Sequence, residues 1–330
     1  MALKKLIKDK ILYFAQKPEN NPNSLNFPFY TLSFIEDDYP AKTPVMWNAI
    51  YQEFNFLVAN IMLVGHTDDV CNILNELGKD KKYLGGGMGV GFKDEAVKFL
   101  EDLDPLAKMI GSVNLIQKTK NGTLKGYNTD GEGYALSLEE MFKQRKEDLV
   151  GKKVLMLGAG GTGNAIAFSL AKRGMKITIL NRTISKAEIL SKKINHYFKN
   201  NQSFFGGEDE INDYIKQGVD VIVNVSTKGA IGPLEEYSAL APVTETNIET
   251  SKQILVNISK KVIISDIVLR SELSPLLKLA QKAGLNILTG IPMVINQAVK
   301  AFEIIHNEEL KAKKIKTEDI MRAMREAVKL

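Results

Sequence analysis

One short segment of the chain has the spacing of a phosphate-binding turn. In VLMLGAGGTGNAIAFSLAKRG, glycines stand at Gly158, Gly160 and Gly163 between an apolar run and an amphipathic helical pattern, with Gly161 beside them. In such a turn the first glycine permits the tight bend, the second lets backbone approach a pyrophosphate, and the third allows close helix–strand packing. The amino end of the following helix attracts phosphate. The segment therefore predicts a dinucleotide-binding βαβ unit beginning near Lys153, in preference to a structural glycine turn.

The end of the next apolar run indicates which dinucleotide is bound. The run ITIL leads into Asn181, Arg182 and Thr183, with Lys186 shortly after and no carboxylate among them. A site for NAD usually has Asp or Glu at this point, bonded to the ribose hydroxyls. The guanidinium of Arg182 offers a planar fork of donors that suits a 2′-phosphate. We therefore predict NADP as the cofactor, against the alternative of a solvated turn with a chance arginine.

Two other segments contain residue types that can move a proton. Lys93 follows the glycine-rich run LGGGMGVGF, and Asp130 lies in the polar turn NTDG just before a predicted helix. A lysine and an aspartate that converge in the folded chain can exchange a proton with a carbinol or a carbonyl. By composition alone, each segment is only a turn and the start of a helix.

Composition argues against several other kinds of site. The three histidines are widely separated and Cys71 is the single cysteine, so neither a metal site nor a Ser-His-Asp triad is expected. The net charge of +5 is a mild excess of 44 basic over 39 acidic residues. Basic stretches near both ends resemble solvated helix faces, so nucleic-acid binding is not expected. No apolar run is long enough for a membrane helix and no signal peptide is recognised, so we expect a cytoplasmic protein.

The elements that must position these residues follow from hydrophobic periodicity. From about residue 150 to 290, short apolar runs alternate with helical patterns, which is typical of a parallel α/β sheet. The expected strands are VLMLG at 154–158, ITIL at 177–180, VDVIVNV at 219–225, KVIISDIV at 261–268 and LNILTG at 285–290. Ser274 and Pro275 are suited to begin a helix, and Gly284 is suited to end it.

The region before residue 128 has a different pattern. Its expected elements are a helix PVMWNAIYQEF at 44–54, a strand FLVANIMLVG at 56–65 and a loop LGGGMGVGF at 84–92. We predict an α/β protein of two domains. The expected boundaries are 1–128 for an α/β substrate-binding and catalytic domain, 129–290 for a Rossmann-like NADP-binding domain, and 291–330 for carboxy-terminal helices that return to the first domain.

A series of ordered motifs resembles the shikimate dehydrogenase family over roughly residues 40 to 306. The matching pieces are TPVMWN, KDEAV…IGSVN, GYNTDGEGY, LGAGGTGNAIAFSLAKRG, the NRT turn, NVSTKG, SPLL and GIPMVINQAVKAFE. The resemblance implies reversible hydride transfer between NADPH and a ring ketone such as 3-dehydroshikimate, within aromatic amino acid biosynthesis. It also implies a small-molecule substrate and a monomer or homodimer.

The resemblance implies roles for individual residues. Lys93 matches the catalytic lysine, and Asp130 matches its partner aspartate. Asn114 and Gln297 match residues that hydrogen-bond substrate hydroxyl groups, and Thr43 keeps one hydroxyl of the substrate-binding segment. The expected cofactor-binding residues are Gly158, Gly160, Gly161, Gly163, Asn181, Arg182, Thr183, Lys186, Gly290 and Met293, the last two beside the nicotinamide.

The sequence also departs from the family pattern. The Ser-x-Ser-Pro segment that grips the substrate carboxylate reads Ala41-Lys42-Thr43-Pro44. The Asn-Val-Thr-x-Pro-x-Lys segment reads Gly87-Met88-Gly89-Val90-Gly91-Phe92-Lys93, and the usual tyrosine is replaced by Leu269. Each buried hydrogen bond lost in this way costs about 1–3 kcal/mol, so shikimate itself is expected to bind poorly.

Four interpretations remain open from the sequence. The chain is either a divergent shikimate dehydrogenase, with Lys42 available to the carboxylate, or a paralogue with a different hydroxy or keto substrate. We favour the paralogue slightly for the physiological substrate. A non-catalytic NADP sensor is a third possibility, although such a protein is expected to lose Lys93 and Asp130. A dehydrogenase of folate or pterin carriers is a fourth, without a recognised pocket for the flat ring.

Overall fold

A computed structural model describes residues 2–16, 23–36, 41–89 and 91–328. Its helices are α1 Ala2–Lys8, α2 Thr43–Glu53, α3 Val70–Lys79, α4 Phe92–Ala96, α5 Pro105–Ile110, α6 Asp130–Gln144, α7 Gly161–Lys172, α8 Ile184–Phe198, α9 Ile211–Lys216, α10 Asn247–Val256, α11 Pro275–Lys282, α12 Ile291–Lys313 and α13 Thr317–Val328. Its strands are β1 Leu12–Phe14, β2 Phe29–Ile35, β3 Val58–Gly65, β4 Tyr83–Met88, β5 Asp102–Leu103, β6 Leu115–Lys118, β7 Leu124–Tyr127, β8 Lys153–Leu157, β9 Lys176–Leu180, β10 Ser203–Gly206, β11 Val221–Asn224, β12 Ile263–Asp266 and β13 Asn286–Leu288.

The chain divides into two compact units. The first unit consists of Met1–Thr129 together with Ile295–Leu330, and the second unit consists of Asp130–Val294. Each unit has a sheet of its own. The prediction of an α/β protein with two domains is confirmed.

The second unit is built on a parallel sheet of six described strands. Their order is β10-β9-β8-β11-β12-β13, which is 3-2-1-4-5-6 when the strands are counted along this unit. That is the order of the doubly wound dinucleotide-binding fold. All five strands expected from apolar runs are present: β8 and β9 begin one residue earlier than expected, and the other three strands are shorter than their apolar runs. Strand β10 was not predicted, because it has only four residues at the edge of the sheet and both of its phenylalanines are exposed.

The first unit contains a mixed sheet of seven described strands in the order β1-β3-β2-β4-β6-β7-β5. Strand β2 pairs in parallel with both β3 and β4, whereas β6 runs antiparallel to β4 and to β7. One face of the sheet packs Leu32, Phe34 and Ile61 against helices α1 and α3. The opposite face lies under α2 and the carboxy-terminal helix α12.

The glycine-rich segment 84–92 is not the continuous loop that the sequence predicts. Residues 83–88 form β4, which lies in the middle of the sheet. The physical reason is the close approach of neighbouring strands. A Cβ on Gly86 would overlap the Leu32 carbonyl, and a Cβ on Gly85 would overlap the Ile116 carbonyl oxygen. Glycine is therefore required for this strand to fit.

The amino-terminal residues belong to the first unit. Strand β1 pairs antiparallel with β3, and Leu3 and Leu6 of α1 are fully buried in the core. Asp80 receives hydrogen bonds from Ala2 N and Tyr30 Oη at one oxygen and from Lys82 N at the other. Burial alone would raise the pKa of Asp80, but these donors hold it below its ordinary value. Residues 2–14 are thus an integral part of the first unit's structure.

The carboxy-terminal helices complete the first unit. Trp47 of α2 donates from Nε1 to the Ala298 carbonyl at 3.2 Å, and its ring meets Phe302 edge-on at 5.5 Å. Helix α13 packs against α2. The backbone of α12 is kinked at His306, whose φ of −107° and ψ of 17° are not helical. These contacts place α12 against the face of the sheet that holds the candidate site.

Candidate active site

Three polar side chains from distant parts of the first unit form one hydrogen-bonded cluster. Asn114 donates from Nδ2 to Thr129 Oγ1 at 3.0 Å and to Gln297 Oε1 at 3.3 Å. Thr129 donates from its backbone N–H to Asn114 Oδ1 at 2.8 Å, and its hydroxyl donates to the Gln297 carbonyl at 3.1 Å. The structure therefore brings together Asn114 and Gln297, as the resemblance implies. It adds Thr129 of the NTDG turn, for which the sequence predicts no role.

The strands of the first unit explain why this cluster forms. Asn114 immediately precedes β6, its N–H donates to Tyr127 O at the end of β7, and its carbonyl accepts from Met88 N at the end of β4. Thr129 lies two residues beyond β7, and Gln297 is in the second turn of α12. The cluster therefore lies where β4, β7 and the start of β6 meet.

The backbone links both residues expected to move a proton to this cluster, Lys93 through a hydrogen bond and Asp130 through its peptide bond to Thr129. Lys93 is the second residue of α4, and its carbonyl accepts from Val113 N at 2.9 Å, one residue before Asn114. Lys93 is partly exposed. Asp130 directly follows Thr129 and is the first residue of α6; its side chain is buried. Lys93 belongs to the first unit and Asp130 to the second.

Most glycines of the segment before Lys93 stand where the fold leaves no room for a side chain. Gly91 has φ +89°, a conformation that proline cannot adopt, and a Cβ there would overlap the Glu36 carboxylate. Gly87 differs: a Cβ built on it would meet only Ser33 Oγ at 3.8 Å and the Asn114 carbonyl oxygen at 3.9 Å, counting the described residues. Gly87 is also partly exposed, between buried Gly86 and buried Met88. Its missing side chain therefore leaves open space beside Asn114.

The segment Ala41-Lys42-Thr43-Pro44 forms the start of α2. Lys42 is the N-cap residue and is exposed, Thr43 is the first helical residue, and Pro44 occupies a favoured position in the first turn. The Lys42 side chain makes no capping hydrogen bond to a described residue. Of the two serine positions in the family pattern, only the one held by Thr43 keeps a hydroxyl.

The glycine turn of the second unit has the geometry of a phosphate cradle. Gly158 has φ +120°, and a Cβ there would approach Ser226 N to 3.0 Å. A Cβ on Gly163 would lie 3.0 Å from Val225 Cγ2, which shows why α7 can pack closely here. Gly160 is the N-cap residue of α7, Gly161 is its first residue, and a Cβ on Gly160 would meet no described atom within 4 Å. The backbone is therefore accessible to a phosphate at the end of a twelve-residue helix.

The segment after β9, which is expected to select the cofactor, contains no acidic residue from Asn181 to Lys186. Asn181 follows β9 and donates from Nδ2 to the Thr183 carbonyl at 2.9 Å, which orders the turn. Arg182, Thr183 and Lys186 are exposed at the start of α8. These side chains offer several hydrogen-bond donors, which are the kind of group that binds a 2′-phosphate.

The remaining predicted cofactor residues follow β13, and one of them, Gly290, lies beside the end of β12. A Cβ on Gly290 would lie 2.6 Å from the Ile267 carbonyl oxygen, so this glycine permits a close backbone approach. Met293 is buried two residues into α12. Leu269, which replaces the expected tyrosine, is 51% exposed.

Sequence reasoning missed a buried polar cluster in the second unit. Asp266 accepts from Ser274 Oγ at 2.6 Å, from Asn224 Nδ2 at 3.0 Å and from Val268 N at 3.0 Å. Burial raises the pKa of Asp266 to about 6, although these three donors oppose the shift. The signal in the sequence was a polar residue at the end of each of two apolar strands.

The described residues contain no group of three or more His, Cys, Asp or Glu side chains arranged to hold a metal ion. None of the described helices combines the length and hydropathy needed to cross a bilayer.

Comparison with known proteins gives a consistent result. Residues 39–116 match the model of the shikimate dehydrogenase substrate binding domain, and residues 140–270 match that of shikimate / quinate 5-dehydrogenase. Shikimate dehydrogenase (NADP(+)) of Methanococcus aeolicus is 31% identical over 78% of this chain and 81% of its own length. That of Caldanaerobacter subterraneus subsp. tengcongensis is 30% identical over 80% and 88%. A crystal structure of a shikimate dehydrogenase in complex with NADP+ has a TM-score of 0.74 at 24% identity, covering 94% of this chain and 98% of that one.

Proposed function

The chain belongs to the shikimate dehydrogenase family, and we propose that its substrate is a hydroxylated ring ketone, reduced reversibly to the alcohol, with 3-dehydroshikimate as the first candidate. It is an NADP-dependent dehydrogenase that acts on a CH–OH group. The observation that carries the proposed substrate class is the Asn114–Thr129–Gln297 cluster in the first unit. Amide and hydroxyl groups in such a cluster can each donate to and accept from a polyol.

We assign the proton transfer to Lys93, with Asp130 as its partner. NADPH supplies the hydride to the carbonyl carbon when it is bound. The Lys93 ammonium then gives a proton to the carbonyl oxygen, and in the oxidation direction neutral Lys93 takes it from the hydroxyl. Asp130 accepts a hydrogen bond from the substrate hydroxyl and so orients it. Support comes from the backbone, which links Lys93 to the residue before Asn114 and Asp130 to Thr129.

Replacement of Lys93 tests this assignment. In Lys93→Ala and Asp130→Asn, turnover should fall by roughly 10²–10⁴-fold, the usual scale for an acid–base group. NADP affinity and melting temperature should change little. Lys98→Ala is the matched control, because Lys98 is an exposed lysine nearby that pairs with Glu95 at 2.6 Å. Full activity in a folded Lys93→Ala protein would remove the assignment.

We assign the cofactor's 2′-phosphate to Arg182, supported by Asn181 and Thr183. In Arg182→Ala, NADP binding should weaken at least tenfold, about 1.4 kcal/mol, while NAD binding stays nearly unchanged. Lys192→Ala is the control, since Lys192 is an exposed cation of the same helix, paired with Glu188. Equal affinity of the natural protein for NADP and NAD, measured by titration, would contradict the assignment.

A second candidate substrate is a different hydroxy or keto compound. The observations in its favour are the missing polar side chains at Ala41, Gly87 and Leu269, the last of which is exposed to solvent. Steady-state rates with NADPH should be measured on 3-dehydroshikimate and on a panel of ring and open-chain ketones. A low KM for 3-dehydroshikimate supports the first candidate. Weak or undetectable activity on it, with saturable activity on another ketone, supports the second.

A further inference from the structure

A continuous chain of buried polar groups crosses the sheet face of the first unit. Ser33 Oγ donates to Asn60 Oδ1 at 3.1 Å, and Asn60 Nδ2 donates to Thr31 Oγ1 at 2.9 Å. Thr31 Oγ1 lies 3.1 Å from Tyr51 Oη, which in turn lies 2.8 Å from His306 Nε2. These five residues come from β2, β3, α2 and α12. We call them the polar chain.

The polar chain is buried, hydrogen-bonded throughout and without charge. All five side chains are buried and hydrogen-bonded, as buried polar groups must be. Burial raises the pKa of Tyr51 and lowers the pKa of His306 to about 3, so both are neutral at physiological pH. Asn60 is fixed from a second side, because the Asn48 side chain bonds both its N–H and its carbonyl. The position and orientation of the Ser33 hydroxyl are therefore set by its neighbours.

One end of the polar chain lies beside the candidate site. Ser33 and Gly87 are partners in the parallel pairing of β2 with β4. The space left by Gly87 is bordered by Ser33 Oγ at 3.8 Å on one side and by the Asn114 carbonyl oxygen at 3.9 Å on the other, measured from the Cβ position. Ser33 is 6% exposed, and Gly87 is itself reached by solvent.

The donor pattern at Ser33 defines what it can bind. Its hydroxyl proton is directed to Asn60 Oδ1. The oxygen retains lone pairs for a further donor, and no donor among the described residues occupies them. A group entering beside Gly87 would thus meet a fixed acceptor, which suits a hydroxyl.

We infer that Ser33 is a specificity-determining residue whose Oγ accepts a hydrogen bond from a substrate hydroxyl that occupies the space beside Gly87. This inference rests on the proposed function, since it assigns a contact within the same substrate site. The substrate class it implies is a polyhydroxylated ketone or alcohol with a hydroxyl group at this position. Asn60 is a positioning residue that holds the serine, and His306 anchors the far end of the polar chain.

Ser33→Ala tests the contact on the full-length protein with NADPH and the best ketone of the panel. KM should rise about tenfold to a hundredfold, as expected for one hydrogen bond in a polar site, while kcat stays within about twofold. NADP affinity should not change. With a deoxy analogue that lacks the bound hydroxyl, Ser33→Ala and the natural protein should have the same KM. Ser24→Ala is the control, because Ser24 is another buried serine of the first unit, outside the polar chain.

Gly87→Asn provides an independent test that does not rely on removing a group. A Cβ fits at Gly87 without a clash, so the asparagine should fill the space beside Ser33 and keep the substrate hydroxyl from it. In that background, Ser33→Ala should change KM less than twofold, so the two substitutions should be strongly non-additive.

The outcomes separate this inference from the proposed function. Turnover of a hydroxylated ketone with an unchanged KM in Ser33→Ala overturns the role of Ser33 and leaves the proposed function standing. Additive effects of Ser33→Ala and Gly87→Asn also overturn it. Absence of turnover on every hydroxylated ketone overturns the proposed substrate class and this inference with it.

Discussion

The two glycine-rich segments of this protein look alike in sequence but use glycine differently. In the first unit, Gly85 and Gly86 allow β4 to fit between its neighbours, and Gly91 supplies a positive φ before Lys93. In the second unit, Gly158 and Gly163 shape the turn between β8 and α7.

Each segment also contains one glycine whose Cβ would meet no obstacle. These are Gly87 in the first unit and Gly160 in the second. The difference shows that a glycine points to a ligand-binding site only where a side chain would have fitted in its place. At Gly85, Gly86, Gly91, Gly158 and Gly163, a positive φ or the close approach of a neighbouring atom accounts for the glycine.

The largest expected effect is at a glycine that the backbone requires. In Gly86→Ala, the added methyl would overlap the Leu32 carbonyl, and φ is +153°. We expect a loss of at least about 3 kcal/mol in the free energy of unfolding, measured by denaturant titration, or no folded protein at all.

Gly78→Ala is the control for that substitution. Gly78 is inside helix α3, and its Cβ would make only ordinary contacts with Leu124. Alanine there should be neutral or stabilise by up to about 1 kcal/mol. A Gly86→Ala protein as stable as the natural one would show that the close approach of β2 and β4 has been misread.

Most of the second unit, apart from strand β10 and the Asp266 cluster, could be predicted from sequence because its signals are local. A strand, a glycine turn and a helix follow one another within residues 153–172, and each apolar run reports a buried parallel strand by itself. The absence of an acid after β9 is likewise visible in four consecutive residues.

The first unit could be predicted only in part, because its signals depend on distant residues. The sequence predicts a loop at β4 because glycine is rare in strands, and the reason for its glycines lies in Leu32 and Ile116. Thr129 and Ser33 gave no signal, since the partners that define their roles are far away in sequence. The link between Tyr51 and His306, for example, joins residues 255 positions apart.

The two units should also respond in opposite directions to acid. The pKa of His306 in the first unit is lowered to about 3, so the stability it contributes is lost as pH falls below about 6.5. The pKa of Asp266 in the second unit is raised to about 6, so its ionisation penalty is relieved as pH falls through 6. Between pH 7 and 5, His306 should cost about 2 kcal/mol of stability and Asp266 should return about 1 kcal/mol.

Two variants measure these contributions separately. The free energy of unfolding should fall less between pH 7 and 5 in His306→Gln than in the natural protein, and should fall more in Asp266→Asn. Each substitution also removes hydrogen bonds, and that cost is the same at both pH values. Comparing the change in the free energy of unfolding between pH 7 and 5, instead of its value at one pH, therefore cancels this cost. Parallel pH profiles for all three proteins would show that neither group titrates as its burial requires.

A smaller effect is expected at Gly160, the open glycine of the second unit. Alanine there should alter stability by less than about 1 kcal/mol, because no described atom lies within 4 Å of the new methyl. The methyl would occupy the space through which a pyrophosphate approaches the backbone, so NADP binding should weaken about tenfold or more. Unchanged NADP affinity, measured by fluorescence titration, would place the phosphates elsewhere.

The smallest expected effect on stability is at Gly87, and it completes the comparison. Gly86 and Gly87 are consecutive residues of one strand, so their intrinsic strand propensities are the same and only their surroundings differ. A methyl on Gly87 would make ordinary contacts with Ser33 and the Asn114 carbonyl. Gly87→Ala should therefore change the free energy of unfolding by less than about 0.5 kcal/mol, against at least about 3 kcal/mol for Gly86→Ala. If both alanines destabilise equally, β4 requires glycine throughout, and the space beside Ser33 is a by-product of strand packing that selection for a substrate did not produce.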